Sequence, residues 1–121
     1  MYPEEMCAPM REDLTSVGFV ALRTPEAVSE LLDKKEGTVL VMVNSVCGCA
    51  AGNARPAVKM TTQFNPKVDV FATVFAGQDI EATAKAAGRV AIKDADPLSD
   101  NAYKVQLTEN IIYRAAMTVI A

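Results

Sequence analysis

The sequence contains no histidine, and this absence argues against two common kinds of site. Without an imidazole to accept its proton, Ser45 is not predicted to be a nucleophile. A closed zinc site needs four ligands, and the chain offers only three cysteines and no histidine to complete one. The carboxylates are spread over surface-like positions and first turns of helices, where they act as caps and solvated groups. The cysteines are therefore the residues to consider for chemistry.

Long apolar runs and basic clusters are also missing. No run approaches the ~18 to 20 apolar residues of a membrane span, and the acidic N-terminus, MYPEEMCAPMRED, is unlike a signal peptide. The net charge is −3 with lysines and arginines scattered singly, so no stripe is available for phosphates. We expect a cytoplasmic protein without a nucleic-acid or membrane partner. In a reducing compartment, closely spaced cysteines are typical of catalytic or metal-binding sites.

One stretch, Thr38 to Pro56, carries the strongest signal: TVLVMVNSVCGCAAGNARP. The apolar run Val39 to Val43 predicts a strand buried on both faces, and two cysteines follow at its carboxyl end, where the next helix starts. A helix N-terminus stabilises a thiolate relative to a thiol and lowers its pKa. We therefore predict Cys47 as the exposed nucleophile and Cys49 as the resolving thiol.

The single residue between the cysteines has its own consequences. A disulfide prefers a ~90° dihedral and Cα atoms ~5.5 Å apart, which is hard to reach across one residue, so the bond should be easily reduced. Such a pair suits exchange with mixed disulfides. Gly48 is expected to help by admitting unusual backbone angles, while Asn44 and Ser45 are expected to support the turn and the helix start.

Two other interpretations of the cysteines remain open. They could be small buried hydrophobic residues in an alanine-rich turn. They could also bind a soft metal, with Cys7 as a third ligand and the fourth from another chain, in a non-catalytic, dimeric interaction module. Cys7 itself is expected to be a partly exposed thiol without a role, because no neighbouring residue in the sequence would lower its pKa.

Periodicity and capping residues predict alternating helices and strands. We predict helices over 9–17, 24–37 (opened by Thr24 and Pro25), 50–64 (kinked near Gly52 to Pro56), 79–88 and 101–120, and strands over 19–22, 38–46, 68–75 and 90–93. Gly88 is expected to end its helix. The last helix is expected to bury an apolar face formed by Val105, Leu107, Ile111, Ile112, Ala115, Ala116, Val119 and Ile120.

The residues VNSVCGCAAGNARPA resemble the signature of the bacilliredoxins, a thioredoxin-like family with Cys-Gly-Cys in place of Cys-X-X-Cys. PMREDLTSVGFVALRTPEAVSELLDKKEGT and VFAGQDIEATAKA extend the resemblance from about Met6 to about Ala87. It implies one thioredoxin-like domain over 1–121, a three-layer α/β/α fold with a mainly parallel sheet. It also implies that Cys47 takes bacillithiol, or a similar small thiol, from S-thiolated client proteins. No cofactor and no metal are implied, since the reductant is another thiol.

The segment 88–121 departs from that family, which continues with a proline loop facing the cysteines and an antiparallel hairpin. Pro97 is the available proline for a substrate loop, and the second hairpin strand is missing, which would leave apolar surface open for a homodimer. DADPLSDNAYKVQLTENIIYRA is similar instead to the C-terminal segment of FAD-binding domains of xanthine dehydrogenase-type enzymes, without any flavin-contacting motif, as in a composite chain. We expect this tail to pack away from Cys47, because Asp94 and Asp96 would raise the pKa of a nearby thiol.

Overall fold

The computed structural model describes residues 1–34 and 36–120, and they form alternating helices and strands. In chain order these are α1 (Glu4–Thr15), β1 (Val20–Ala21), α2 (Pro25–Leu32), β2 (Val39–Asn44), a π-helical turn (Ala50–Ala54) continuing into α3 (Arg55–Thr61), β3 (Val70–Phe75), α4 (Ile80–Ile92), a 3-10 turn (Ser99–Asn101) and α5 (Tyr103–Ile120).

The strands form a parallel sheet in the order β1-β3-β2. The central strand β3 is the most buried, and β2 pairs with it along its whole length, from Val39 opposite Val70 to Asn44 opposite Phe75. In the described residues no strand follows β3, so β2 forms an edge of the sheet. The predicted α/β fold with a mainly parallel sheet is confirmed, and the expected absence of the second hairpin strand agrees with this topology.

Helices cover both faces of the sheet and complete the three layers. On one face, α2 and α4 pack on the strands through a cluster that includes Val28, Val74 and Ala82. On the other face, α1 and α3 pack through a cluster that includes Leu14 and Met42. Because all three strands are parallel, their carboxyl ends lie at the same end of the sheet. The chain leaves β2 at this end and continues into the cysteines.

The start of α2 follows its sequence signal closely. Thr24 has an extended backbone and its hydroxyl accepts a hydrogen bond from the Ala27 N–H at 3.2 Å, while Pro25 occupies the first helical position. The hydroxyl satisfies a donor that the helix itself leaves free, and proline has no N–H to satisfy there. This prediction is confirmed.

The first helix begins earlier than predicted. We expected Pro9 near its start, but α1 begins at Glu4 and Pro9 lies inside it. The preceding turn is held by contacts that local periodicity does not show: Arg11 pairs with Glu4 at 2.5 Å and with Asp79, before α4, at 3.0 Å. These ion pairs favour a helical backbone although the proline removes one helical hydrogen bond.

The longer α1 also changes the surroundings of Cys7. The residue is fully buried, so the expectation of a partly exposed thiol is wrong. Burial raises the pKa of the Cys7 thiol, and the negative charge of Glu4 adds to the effect. A protonated buried thiol is a small apolar side chain and a poor nucleophile.

The strand predicted over Val90 to Lys93 is wrong, since α4 continues to Ile92. Gly88 does not end this helix but is buried where α5 crosses it. A Cβ added at Gly88 would lie 3.0 Å from the backbone oxygen of Glu109. The glycine therefore permits the close approach of two helices, which a reading of one helix alone cannot distinguish from a stop signal.

The last helix is confirmed over most of its predicted length, but the buried face differs. Leu107 and Ile111 are 50% and 56% exposed, whereas Glu109 is only 2% exposed. Its carboxylate lies 2.6 Å from the Lys85 ammonium and 3.7 Å from the Arg89 guanidinium, both on α4. The buried face of α5 therefore includes a charged side chain, Glu109, that pairs with α4. The side chain of Ile120, also predicted on the apolar face, lies outside the described part.

No helix within residues 1–34 and 36–120 combines the length and the apolar character that a membrane-spanning segment requires.

Candidate active site

Cys47 lies three residues beyond the end of β2, at the start of the helical segment that leads into α3. Its carbonyl oxygen accepts hydrogen bonds from the N–H groups of Ala50 and Ala51, at 3.1 and 3.3 Å. These are first-turn contacts, so Cys47 occupies a helix N-terminus. Both Cys47 and Cys49 are exposed, which argues against the interpretation of these residues as buried hydrophobic side chains.

The structure joins Cys47 and Cys49 as a disulfide pair, with their Cα atoms 5.4 Å apart. This separation falls within the usual range for disulfides, so the expectation that one intervening residue makes this Cα distance hard to reach is wrong. The helical backbone at residues 48 and 49 accounts for it.

The sulfur of Cys47 is surrounded by hydrogen-bond donors. The Ser45 hydroxyl donates to it at 3.1 Å and the Ala50 N–H donates to it at 3.4 Å. Among the described residues no comparable donor reaches the Cys49 sulfur. Donors of this kind stabilise a thiolate more than a thiol, so the reduced pair should carry its negative charge on Cys47.

Beneath this turn lies a buried polar network centred on Asn44. Its amide nitrogen donates to the Met10 carbonyl at 2.9 Å, and its amide oxygen accepts from the Ser45 N–H at 2.9 Å and from Nη1 of Arg55 at 3.0 Å. Asn44 was predicted to support the turn, and the structure places it there as a fully buried link between α1, β2 and α3.

Arg55 was not predicted as a site residue. Its side chain is buried, and besides Asn44 it donates to the Ser45 carbonyl at 3.0 Å and pairs with Asp13 at 3.3 Å. The sequence signal that could have found it is the proline that follows it. Pro56 has no N–H to give to the carbonyl of Gly52, so a regular α-helix is interrupted there.

The interruption takes the form of a π-helical turn, in which the N–H of Arg55 bonds to the carbonyl of Ala50. The kink predicted near Gly52 to Pro56 corresponds to this turn. A wider turn adds one residue relative to an α-helix and changes which side chain faces the protein. In this chain the π-helical turn is followed by Arg55, whose buried side chain reaches the residues that precede the cysteines.

The reason given for Gly48 is wrong in this conformation. Gly48 has a helical backbone with no positive φ, and a Cβ added there would meet nothing within 4 Å. Another residue would fit the backbone, so the site does not depend on the conformational freedom of glycine at this position. The glycine leaves the surface beside both sulfurs without a side chain.

The metal interpretation finds little support in the described part of the chain, where no group of three or more cysteines and carboxylates could hold a metal ion. Cys7, the expected third ligand, is buried inside α1. The residues around Cys47 are instead hydrogen-bond donors, which suit a thiolate.

A family model described as "Disulphide isomerase" matches residues 2–109. The chain belongs to the disulphide isomerase family. Among curated relatives, it is 53% identical over 88 residues to a bacilliredoxin of Salinibacter ruber, covering 69% of this chain and 51% of that protein. It is 51% identical over 88 residues to a bacilliredoxin of Koribacter versatilis (73% and 61% covered) and 47% identical over 108 residues to one of Shouchella clausii (89% and 73% covered).

These matches confirm the resemblance to bacilliredoxins. The chain spans about half to three-fifths of the length of the first two relatives. The family match continues to residue 109, so the expectation that the segment 88–121 departs from the family is wrong for residues 88–109. The resemblance of the tail to xanthine dehydrogenase-type enzymes is not confirmed.

The structure does not bring Pro97 together with Cys47. The helix α4 begins beside the carboxyl end of β3 and runs back along the sheet, and Arg89 in its last turn pairs with Asp33 at the end of α2. Pro97 follows in an exposed segment beyond that end. This placement agrees with the expectation that the tail packs away from the cysteines.

Proposed function

We propose that this chain is a thiol-disulfide oxidoreductase that removes bacillithiol, or a similar small thiol, from S-thiolated client proteins. The observation that carries the proposal is the exposed Cys47 sulfur at a helix N-terminus, with the Ser45 hydroxyl and the Ala50 N–H bonded to it and Cys49 within disulfide distance. The bacilliredoxin name of relatives about 50% identical to the chain supports the choice of small thiol.

In the first step, the Cys47 thiolate attacks the bacillithiol sulfur of the mixed disulfide on the client. A disulfide forms between Cys47 and bacillithiol, and the bond between bacillithiol and the client breaks. The client cysteine leaves as a thiolate with the electron pair and takes a proton from water. An exposed sulfur suits this step because the attacking atom must approach along the axis of another protein's disulfide.

In the second step, a further thiolate attacks the Cys47 sulfur and releases bacillithiol as a thiolate. If Cys49 attacks, the product is the Cys47–Cys49 disulfide, the pairing present in the structure. If a second small thiol attacks, the products are the Cys47 thiolate and a small-molecule disulfide. An external thiol then reduces the Cys47–Cys49 disulfide, and no cofactor takes part.

The test uses a client protein carrying a single bacillithiol group, with its release followed by intact mass. We expect Cys47→Ala to abolish release, and Cys49→Ala to retain the first step and accumulate a bacillithiol adduct on Cys47. Cys7→Ala is the matched control, since the buried thiol should contribute nothing. Equal release by the wild type and Cys47→Ala would refute the proposal. The same client carrying a single glutathione group serves as the comparison, and faster release of glutathione than of bacillithiol would refute the assignment of the small thiol.

A further inference from the structure

We propose that Arg55 is a positioning residue for Cys47, which fixes the strand end so that the Ser45 hydroxyl meets the cysteine sulfur. The inference rests on the proposed function only in taking Cys47 as the nucleophile. Arg55 acts through Ser45, and the hydrogen bonds to the sulfur come from Ser45 and Ala50.

The guanidinium connects three parts of the site. Nη1 donates to the Asn44 amide oxygen and to the Ser45 carbonyl, both at 3.0 Å, while Nε faces the Asp13 carboxylate at 3.3 Å. Arginine suits such a place because its planar, rigid fork directs several donors at once. The group is buried, so these contacts replace its hydration.

The contacts restrain Ser45 from both sides of its peptide backbone. Its N–H donates to the Asn44 side chain at 2.9 Å, and its carbonyl accepts from Arg55. With both backbone groups held, the hydroxyl is directed to the Cys47 sulfur at 3.1 Å. A loose Ser45 would lose this contact to water, because the hydroxyl lies at the surface and can rotate.

An electrostatic role for the arginine can be separated from a positional one, because its charge is partly offset by a carboxylate that it shares with Lys59. Asp13 accepts both Arg55 and Lys59, the latter at 2.5 Å. The two roles predict opposite effects of removing the Asp13 charge. If Arg55 acts by charge, Asp13→Asn exposes that charge and favours the Cys47 thiolate. If Arg55 acts by position, Asp13→Asn loosens the guanidinium and disfavours the thiolate.

The experiment measures the rate at which iodoacetamide alkylates Cys47 as a function of pH, with Cys49→Ala as the common background. We expect Arg55→Lys, which retains the charge but loses the fork, to raise the apparent pKa of Cys47 by about half a unit to one unit, which is a three- to tenfold loss of thiolate below the pKa. Asp13→Asn should shift it in the same direction by a smaller amount. Lys59→Gln, which removes another cation paired with Asp13, is the matched control and should shift it by less than either.

An unchanged pKa in Arg55→Lys, or a lower one in Asp13→Asn, would overturn the inference. Urea unfolding of each variant accompanies the titration, so that lost stability is not mistaken for lost positioning. If Arg55→Lys does not fold, the direction of the pKa shift in Asp13→Asn still distinguishes the positional role from the charge role. Asp13→Asn is expected to fold because the Asp13 side chain is partly exposed. Iodoacetamide needs neither client nor bacillithiol, so a chain that fails to release bacillithiol can still confirm or refute the role of Arg55.

Discussion

Replacing Ser45 by alanine removes the side-chain hydrogen bond to Cys47 and leaves the rest of the turn in place. The Ala50 N–H still donates to the sulfur at 3.4 Å, and the Ser45 N–H and carbonyl keep their partners on Asn44 and Arg55. The variant therefore isolates one contact, the hydroxyl at 3.1 Å. We expect it to raise the pKa of the Cys47 thiol.

The size of the shift follows from the strength of the bond. A hydrogen bond to a charged group contributes about 1.5 to 3 kcal/mol when it is buried. Cys47 is exposed and Ser45 only half-buried, so water replaces part of the lost bond and about 1 kcal/mol or slightly more remains. At about 1.4 kcal/mol per pKa unit, we expect a rise of about 0.7 to 1 unit.

In Ser45→Ala, the rate at which Cys47 is alkylated should change less than its thiolate fraction does. Relative to the parent, the rate should fall at low pH and rise at high pH. A rise of one unit lowers the thiolate fraction about tenfold below the pKa, but a more basic thiolate is intrinsically about threefold more reactive, for a Brønsted coefficient of about 0.5. We therefore expect Ser45→Ala to react about threefold more slowly at low pH and up to about threefold faster at high pH, so that the two profiles cross.

The assay follows iodoacetamide consumption and, independently, the ultraviolet absorbance of the thiolate against pH, both in the Cys49→Ala background. Ser29→Ala makes the same change on α2, on the opposite face of the sheet, and should leave both curves unchanged. Profiles of Ser45→Ala that do not cross, with a pKa within about 0.2 units of the parent, would refute the argument that the hydroxyl stabilises the thiolate.

Two further predictions concern stability. Gly88→Ala should destabilise the protein by about 1 kcal/mol in urea unfolding, because the clash with the Glu109 backbone outweighs the helix propensity gained. Gly52→Ala, where a Cβ meets nothing, should stabilise the protein by about 0.5 to 1 kcal/mol. If both variants changed the free energy of unfolding in the same direction, this explanation would be contradicted. Bonds from the Thr38 N–H and hydroxyl hold the pKa of Asp69 below its usual 3.8. The charged Asp69 therefore stabilises the fold above that pH and loses its effect as the pH falls through the lowered value. Asp69→Asn should be less stable than the wild type at pH 7, and the difference in the free energy of unfolding should narrow as the pH falls below 3.8; a difference independent of pH would count against this.

The three strands that form and the start of the helix α2 could be predicted because their signals are local. An apolar run such as Val39 to Val43 predicts a strand from its own residues, and Thr24 followed by Pro25 marks a helix start wherever the helix packs. The expectation that this strand is buried on both faces is wrong, because β2 is an edge strand and Val43 is 54% exposed. The position of Cys47 follows equally directly, since the strand and the helix that bracket it are adjacent in sequence. For the placement of these elements along the chain, short-range chemistry and the final fold agree.

The errors arise where a residue is decided by a distant partner. Gly88 is a typical stop signal unless another helix crosses at that point, and only the approach of Glu109 shows that one does. Likewise, the ion pairs of Glu109 with Lys85 and Arg89 outweigh the apolar pattern that favoured burial of Leu107. No periodicity within one segment contains such information, because burial of a charge depends on which opposite charges the fold brings to it.

Arg55 belongs to this second group, and its position also bears on the C-terminal tail. The hydrogen bonds around Cys47 come from α1, the end of β2, the π-helical turn and α3, and both α1 and α3 lie on the face of the sheet opposite α4. Since α5 packs mainly on α4 through Glu109 and Gly88, a change there reaches the cysteines only through the stability of the whole fold. The pKa of Cys47 should therefore be the same in folded Gly88→Ala as in the parent, while Ser45→Ala shifts it at nearly unchanged stability. A shifted pKa in folded Gly88→Ala would show that the tail is coupled to the site through the sheet.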